Sequence, residues 1–464
     1  MPKKKKPDLE DFKKKIIKNN NKLPIRFSED VTDINSHSWF DIKKQQSLEH
    51  YNDIIFKKDK IKDEVISCKI YEIIFNETQK KIIHKWFDCF TDMYNEALTF
   101  IRTTYPFTKN EIIRSKIEEE TRRQIKFEEF YNNRHIRDNL INIKKEIQIR
   151  STLNIDDNKN KRIYDHTLDY AVQQLTSNID SSRTNMLRGN IKRFRLKYWK
   201  YNRPSMSMDF EKTCFNKDNK FCFQQLGDVI YKYNNKEVIL PHVECGVKVN
   251  YNRITNKYTL LFPIKIEPII DENKSNNVIY LDPGLRTFMT GISENTNLTI
   301  GNNVNFIVSQ KINKLLETKN NPKIKSRIKK KNKKTIYRKI KNKVDDLQWK
   351  TIKYLVKNFN GIFLGDMSAK NIVKKQNSVL SASQKRACLM TRYYVFQQRL
   401  KFKCEQNGVT FKIVDEYYTS KTCSNCGNLK ENLGGNHNYN CNKCGININR
   451  DINGARNIYI KTLL

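Results

Sequence analysis

The spacing of apolar residues changes several times along the chain, and each change marks an element. Residues 1–67 carry few apolar positions at any fixed period, so this extension should not bury enough surface to order itself. Order is predicted to begin at Ile70-Tyr71-Glu72-Ile73-Ile74-Phe75, a strand-like run, and Asn76-Glu77-Thr78-Gln79 reads as a helix start. Ile83, Trp86, Phe87, Phe90, Met93, Tyr94, Ala97 and Phe100 then recur at intervals of three and four, which predicts an amphipathic helix over 80–102. Helical patterns continue over about 109–150 and 162–200. From 204 to 267 the texture is that of short strands. Phe221-Cys222-Phe223, Val229-Ile230-Tyr231, Glu237-Val238-Ile239-Leu240, Cys245-Gly246-Val247-Lys248-Val249 and Tyr258-Thr259-Leu260-Leu261-Phe262 are separated by Asn and Gly turns, enough for a small β-barrel.

A polar linker at 271–277 precedes a second series. Val278-Ile279-Tyr280-Leu281 is a buried-type strand that delivers Asp282 at its tip, and Phe288 to Ile292 with a run at 299–308 would complete a meander. Residues 311–343 are helical in pattern and too polar for a core. A further helix follows over 345–359, with Trp349, Ile352 and Leu355 as its apolar stripe. Gly361-Ile362-Phe363-Leu364 is a strand ending in Gly365-Asp366. A long helix over 385–406 leads to a last strand, Thr410-Phe411-Lys412-Ile413-Val414, which ends in Asp415 and Glu416. The order predicts an α/β multidomain chain whose C-terminal part is a mixed sheet with flanking helices.

Charge narrows the class. Lys and Arg total 88 against 50 acids, a formal charge of +38, with 22 Tyr and 24 Phe among them. That excess points to a polyanion, and nucleic acid is the expected partner. Two basic stretches are candidate contacts. Lys192, Arg193, Arg195, Lys197 and Tyr198 interleave charge with aromatic faces, which suits phosphate contact plus base stacking, or equally an ordinary helix. Lys329, Lys330, Lys331, Lys333, Lys334 and Arg338 lie on the polar helix, either as a solvated face or as the wall of a nucleic-acid groove. Pro2-Lys3-Lys4-Lys5-Lys6-Pro7 reads equally as a nuclear import signal and as a solvated basic tail. No apolar run is long enough for a membrane span, so no membrane partner is expected, and no signal peptide is read at the start. Seven of eleven cysteines are scattered singly, which fits an intracellular, reducing compartment.

The other four cysteines carry chemistry. Cys423-Ser424-Asn425-Cys426 and Cys441-Asn442-Lys443-Cys444 have the spacing of a tetrahedral four-thiolate Zn²⁺ site, and Gly427 and Gly445 follow each pair where a tight turn needs positive φ. Four ligands leave no open position, so this ion is expected to be structural. Three acids stand nearby in the pattern: Asp282, then Asp366 or Glu416, and Asp451 at the start of the last helix. Carboxylates at strand ends and a helix start can converge on one sheet edge and hold two Mg²⁺ ions for phosphodiester hydrolysis. Taken singly, each is as readily a turn or cap residue.

Three stretches then carry a resemblance. Ile279-Tyr280-Leu281-Asp282-Pro283-Gly284-Leu285, the run from Tyr418 to Gly427, and Asn449-Arg450-Asp451-Ile452-Asn453-Gly454-Ala455-Arg456-Asn457 resemble the TnpB family of transposon-encoded, RNA-guided DNA endonucleases, related to type V CRISPR effectors. The resemblance covers about 70–460. It implies an RNase H-like (RuvC) nuclease domain at 278–418 and 446–464, with a zinc-ribbon insert at 419–445 that binds target nucleic acid. It also implies a helical recognition domain at 77–203, a β-barrel wedge domain at 68–76 and 204–270, and the 1–67 extension outside the family. The implied partners are a guide RNA derived from the transposon end and target double-stranded DNA, with one or two chains on the RNA. The pattern departs at one place: the bacterial family has Glu at the end of the fourth strand, where this chain has Gly365 followed by Asp366. The Fanzor branch is similar in lacking that Glu and in carrying one after the next strand, as Glu416 does here. On that resemblance Asp282, Glu416 and Asp451 are the expected Mg²⁺ ligands and catalytic acids, with Asp366 as the fallback.

Overall fold

The computed structural model describes residues 42–46, 64–104, 132–152, 161–187, 191, 194–270, 277–293, 296–374, 380–433 and 436–463. In chain order the first elements are β1 (Ile42–Gln46), β2 (Val65–Ile74), α1 (Glu77–Thr104), α2 (Asn133–Asn139), α3 (Ile141–Arg150), α4 (Asp165–Leu187) and β3 (Ser205–Phe210). There follow α5 (Phe223–Leu226), β4 (Ile230–Tyr233), β5 (Lys236–Val238), β6 (Val247–Asn252) and β7 (Lys257–Ile266). From β2 to β7 they form one compact unit, Ile66–Ile266; the rest, with β1, forms another.

In the first unit the helix start predicted at 76–79 is a reciprocal cap. The Gln79 backbone N–H donates to Asn76 Oδ1 at 2.8 Å, and the Asn76 N–H donates to Gln79 Oε1 at 2.9 Å. The apolar stripe of α1 is buried, with Ile83, Trp86, Phe90, Met93 and Ala97 inaccessible to solvent. It shares one core with Met208, Phe210, Val249, Leu260 and Phe262, which alternate with exposed or half-buried neighbours along their strands. The strands form a six-stranded sheet in the order β3-β6-β7-β2-β4-β5.

Two expectations here are corrected, and one strand was not anticipated. Phe221-Cys222-Phe223 is not a strand: Phe221 makes an isolated bridge to Phe215, Cys222 takes φ 46°, and a short helix begins at Phe223. β3 escaped the sequence reading because Ser and Met alternate in it without β-branched residues. The helix expected over 162–200 ends at Leu187, and 194–200 carry no helix. Trp199 instead stacks on Tyr94 with centroids 3.6 Å apart, and Asn95 fixes both its backbone N–H and its carbonyl. That packing outweighs the helical pattern.

The second unit contains β8 (Val278–Pro283), β9 (Thr287–Ser293), β10 (Thr296–Asn302), α6 (Val304–Asn320), α7 (Ser326–Asn358), β11 (Gly361–Gly365), α8 (Ala369–Lys374), α9 (Ala382–Met390), α10 (Tyr393–Gln406), β12 (Thr410–Val414), β13 (Asn438–Asn440), β14 (Asn447–Asn449) and α11 (Arg450–Thr462). Its sheet runs β1-β10-β9-β8-β11-β12 and is mixed: β11 is parallel to both β8 and β12, and the other pairings are antiparallel. Both faces are covered, which is why β8 and β11 read as continuous apolar runs. Ile279, Leu281, Ile362 and Leu364 face Leu347, Ile352, Leu355, Phe396 and Leu400 of α7 and α10. Tyr280 and Phe363 face Ala455, Ile458 and Tyr459 of α11.

Three boundaries shift in this unit. The segments expected at 311–343 and 345–359 do not divide there, since α7 runs unbroken from Ser326 to Asn358. The helix expected over 385–406 is two, separated at Arg392, which takes φ 53°. Inside the 1–67 extension, read as unable to order, Ile42–Gln46 pairs antiparallel with Thr296–Ile300. Backbone hydrogen bonds to an open edge recruit a strand of such polar composition, and side-chain pattern does not announce them. The basic run at Pro2 to Pro7 lies outside the described residues. Among the described residues no helix is long and apolar enough to cross a membrane.

Candidate metal centre at the carboxyl end of the sheet

Parallel pairing brings three strand ends level. Leu281 of β8 pairs with Leu364 of β11, and Gly365 pairs with Val414 of β12. Asp282 follows Leu281 directly, and Glu416 lies two residues beyond Val414, so both leave the same edge. Asp451 enters from the first turn of α11, whose start is capped by Asn449 Oδ1 accepting from the N–H groups of Asp451 and Ile452 at 2.9 and 3.3 Å.

Two glycines make room for this convergence. A Cβ built at Gly454 of α11 would lie 2.9 Å from Asp282 Cγ, and closer still to Oδ2. Glycine inside a helix costs about 1 kcal/mol relative to alanine; here it lets the Asp282 carboxylate lie against the helix backbone. A Cβ built at Gly365 would lie 2.9 Å from both Cγ and Cδ of Glu416, and closer still to Oε1. The carboxyl group of Glu416 thus occupies the space that a side chain at 365 would need.

The electrostatics are those of acids crowded in a dry place. Asp282 is only 8% exposed. Its carboxyl is raised well above the usual range by burial, then by Glu416 and Asp451, with Arg450 opposing. Glu416 is pushed up to about 8 by burial first and then by Asp366 and Asp415, with Lys461 opposing. Burial also raises Asp451, against Arg450, Arg286 and His437. Glu416 Oε1 is shielded from solvent and accepts no hydrogen bond among the described residues. A shielded, unpartnered carboxylate oxygen with two further acids in electrostatic reach has the chemistry to fit Mg²⁺, although among the described residues only the four cysteines already bring their ligand atoms together as a metal group.

Linkage gives this crowding a sign. Glu416 titrates near 4.5 when unfolded and near 8 in the fold, so between those values the folded chain binds more protons than the unfolded one. Zinc-loaded protein without Mg²⁺ should therefore lose thermal stability as pH rises from about 4.5 to about 8, and Glu416→Gln should flatten that slope. Melting temperatures recorded across the window, at fixed ionic strength, check it.

The fallback acid Asp366 is exposed, and its backbone N–H donates to the Val414 carbonyl at 2.8 Å. It stands near enough to raise Glu416, on the rim of a cleft of about 370 Å³ lined by Pro283, Gly365, Asp366, Arg392, Tyr393 and Tyr394, among others. Tyr393 is a residue that sequence reasoning missed. Its hydroxyl donates to the Gly284 carbonyl, in the turn after Asp282, and its ring stacks on Phe288 at 5.3 Å. Burial, then Cys388 and all three acids, raises its hydroxyl. Its partner lies 109 positions away, so no local pattern announces it.

The four cysteines come together as the spacing predicts. Their sulfurs all lie within 4.8 Å of one another, with Cys423–Cys444 at 3.7 Å and Cys426–Cys441 at 3.5 Å. A tetrahedral ion with bonds of about 2.3 Å needs sulfurs about 3.8 Å apart. Gly427 and Gly445 both take φ 72°, and each N–H donates back to the first cysteine of its pair at 3.0 Å. Burial raises the Cys441 thiol, but the amides of Cys444 and Lys443 and the neighbouring thiols outweigh it and bring the group down to about 7. The cluster fits a structural Zn²⁺.

The basic candidates separate by unit. Arg195, Lys197 and Tyr198 are exposed in the first unit, with Arg102 over the Tyr198 ring at 4.5 Å. Lys192 and Arg193 lie outside the described residues. On α7, Lys330, Lys331, Lys333, Lys334 and Arg338 are exposed and Lys329 is half-buried.

Comparison with known proteins bears on the same segment. The family model described as Cas12f1-like, TNB domain matches residues 393–458, from Tyr393 through Glu416 and the cysteines to α11. A TnpB-like protein of Acanthamoeba polyphaga mimivirus is 28% identical over 459 residues, covering 92% of this chain and 84% of the relative. The CRISPR-associated endodeoxyribonuclease Cas12f1 of Sulfoacidibacillus thermotolerans is 40% identical over 72 residues, 15% of this chain and 17% of that protein. A solved Cas12f1–sgRNA–target DNA complex aligns with a TM-score of 0.39 at 13% identity, covering 86% of this chain and 99% of that one. The matched segment holds two of the three acids and all four cysteines, and most of the chain is similar to the TnpB-like proteins.

Proposed function

We propose that this chain is a transposon-encoded, RNA-guided DNA endonuclease whose RuvC-type site is built from Asp282, Glu416 and Asp451. The observation that carries the reading is the occupation of the room at Gly365 by the Glu416 carboxylate, which supplies the acid that the fourth strand lacks. This is the arrangement expected of the Fanzor branch. When bound, two Mg²⁺ ions would activate a water and stabilise the leaving oxygen of a DNA phosphodiester. The three carboxylates would hold them, and burial around the acids excludes competing water. Tyr393 would keep the turn after Asp282 in place through the Gly284 carbonyl. Arg195, Lys197 and Tyr198, and separately the exposed lysines of α7, would contact the phosphates and bases of guide and target. The guide would read sequence by pairing, while the protein reads a short flanking motif and duplex shape. The Zn²⁺ held by Cys423, Cys426, Cys441 and Cys444 would shape an insert that loads the target strand.

The test begins with the RNA that co-purifies with the full chain. Once it is sequenced, DNA carrying the matching target should be cut with Mg²⁺ and not with the Mg²⁺ withheld. A specific RNA with target binding but no cutting would support a guided DNA-binding protein instead. Cutting that survives removal of all RNA would indicate a protein-only transposase or resolvase.

Gly365→Ala checks the carrying observation. Its methyl group would displace Glu416, and a shift of about 1 Å at a reacting centre can cost about 100-fold in rate. Cleavage should fall by that order while zinc content and RNA binding hold. Unchanged cleavage would mean that the carboxylate of Glu416 does not work from this position.

A further inference from the structure

Glu416 stands where the sheet no longer holds the chain. The last paired residue of β12 is Val414; 415 and 416 are outside any strand, and 417–420 form a turn. A polar stripe on α11 takes over. Asn453, Asn457 and Lys461 recur every four residues and so share one helix face. The Asn453 side chain donates to the Thr422 carbonyl at 2.8 Å and accepts from the Ser424 N–H at 2.9 Å. The Asn457 side chain donates to the Thr419 and Thr422 carbonyls, each at 2.7 Å. Lys461 reaches furthest: its ammonium donates to the Asp415 carbonyl and to the Tyr417 carbonyl, each at 2.8 Å. A lysine in the last turn of a helix ordinarily faces water or its own terminal carbonyls. This one bonds the residues on either side of Glu416, at the opposite end of the helix that begins with Asp451.

We propose that Lys461 is a positioning residue that fixes the peptide of Glu416, so that its carboxylate stays in the room beside Gly365. The proposal rests on the reading of Asp282, Glu416 and Asp451 as a divalent-cation site. Lys461 touches no substrate in this scheme. It holds both flanking carbonyls, and so resists rotation of the peptide units that aim the Glu416 side chain. Through α11 one rigid element then sets two ligands, Asp451 directly and Glu416 at second hand.

The experiment uses the full-length, zinc-loaded chain and Mn²⁺ as the probe, with binding read by electron paramagnetic resonance. Backbone amide exchange over 415–419 gives a second reading. Loss of an outer-shell partner typically weakens metal affinity by about 10–100-fold. Lys461→Met should weaken Mn²⁺ binding by that factor and speed exchange over 415–419, with zinc content unchanged. Lys461→Arg, which keeps donors within reach, should recover most of both. Mn²⁺ affinity and exchange in Lys461→Met equal to those of the unmutated chain would overturn the proposal. Should Lys461→Met fail to fold, Lys461→Gln, with a shorter donor, decides by the same two readings. Asp282→Asn separates the two layers: if it leaves Mn²⁺ binding intact, the cation site itself is misplaced, while exchange over 415–419 still judges whether Lys461 anchors that segment.

Discussion

Replacing Glu416 by Gln should abolish Mg²⁺-dependent DNA cleavage while leaving the co-purified RNA in place. The substitution preserves shape and removes one charge from a set of three. Removing one preorganised electrostatic partner of a transition state costs on the order of 100–1,000-fold in rate, and a lost cation ligand should reach at least the upper end. The variant also relieves crowding, because Asp282 no longer faces a negative Glu416. Metal-free Glu416→Gln should therefore be at least as stable as the unmutated protein near pH 8, while being inactive. Cleavage rates at saturating Mg²⁺, beside melting curves, give both halves of this result. Full activity in Glu416→Gln together with loss in Asp366→Asn would move the role to the exposed acid on the cleft rim.

The second large effect concerns the cysteines. Cys441→Ser removes a thiolate that sits close to neutrality and is prepared to bind metal. Structural zinc contributes on the order of 10 kcal/mol to folding in small metal-organised segments, far more than the small core of Cys423, Leu433, Tyr439, Cys441 and Ile448 can replace. Zinc content should fall to background, and amides of the insert should exchange at rates near those of an unfolded chain. The sheet should persist, because Tyr280, Phe363, Ile458 and Tyr459 pack without help from the metal. Elemental analysis with hydrogen exchange would show this division. Stoichiometric zinc in Cys441→Ser would mean that the four sulfurs are not the ligand set.

Much of the second unit was legible because its signals are local. Continuous apolar runs announced β8 and β11, paired cysteines with following glycines announced the insert, and Asp451 marked the start of α11, although the cap itself is Asn449. The offset of Glu416 from the strand end was also readable, since the gap between neighbouring strands is within reach of a glutamate side chain. What escaped depends on distant partners. β1 joins through its backbone, so its polar side chains carry no sign of it. The break at Arg392 lies inside a helical pattern, where Asp345 accepts from its guanidinium at 3.2 Å and from that of Arg399 at 2.7 Å. Residues 194–200 follow Tyr94 and Asn95, a hundred positions earlier, rather than their own periodicity. Gly454 reads as an ordinary weak spot in a helix until Asp282 is placed against it.

The cavity at Gly365 admits one tenant. A glutamate on β11 and a glutamate after β12 would compete for the same few cubic ångströms, so a chain bearing both would be jammed and a chain bearing neither would be short of a ligand. Passage between the two layouts consequently requires paired substitutions, and single-position libraries will find neither step rewarded. Under the proposed assignment, catalogues that sort such proteins by whether an acid follows the fourth strand would file chains like this one as inert when the charge had only changed its address.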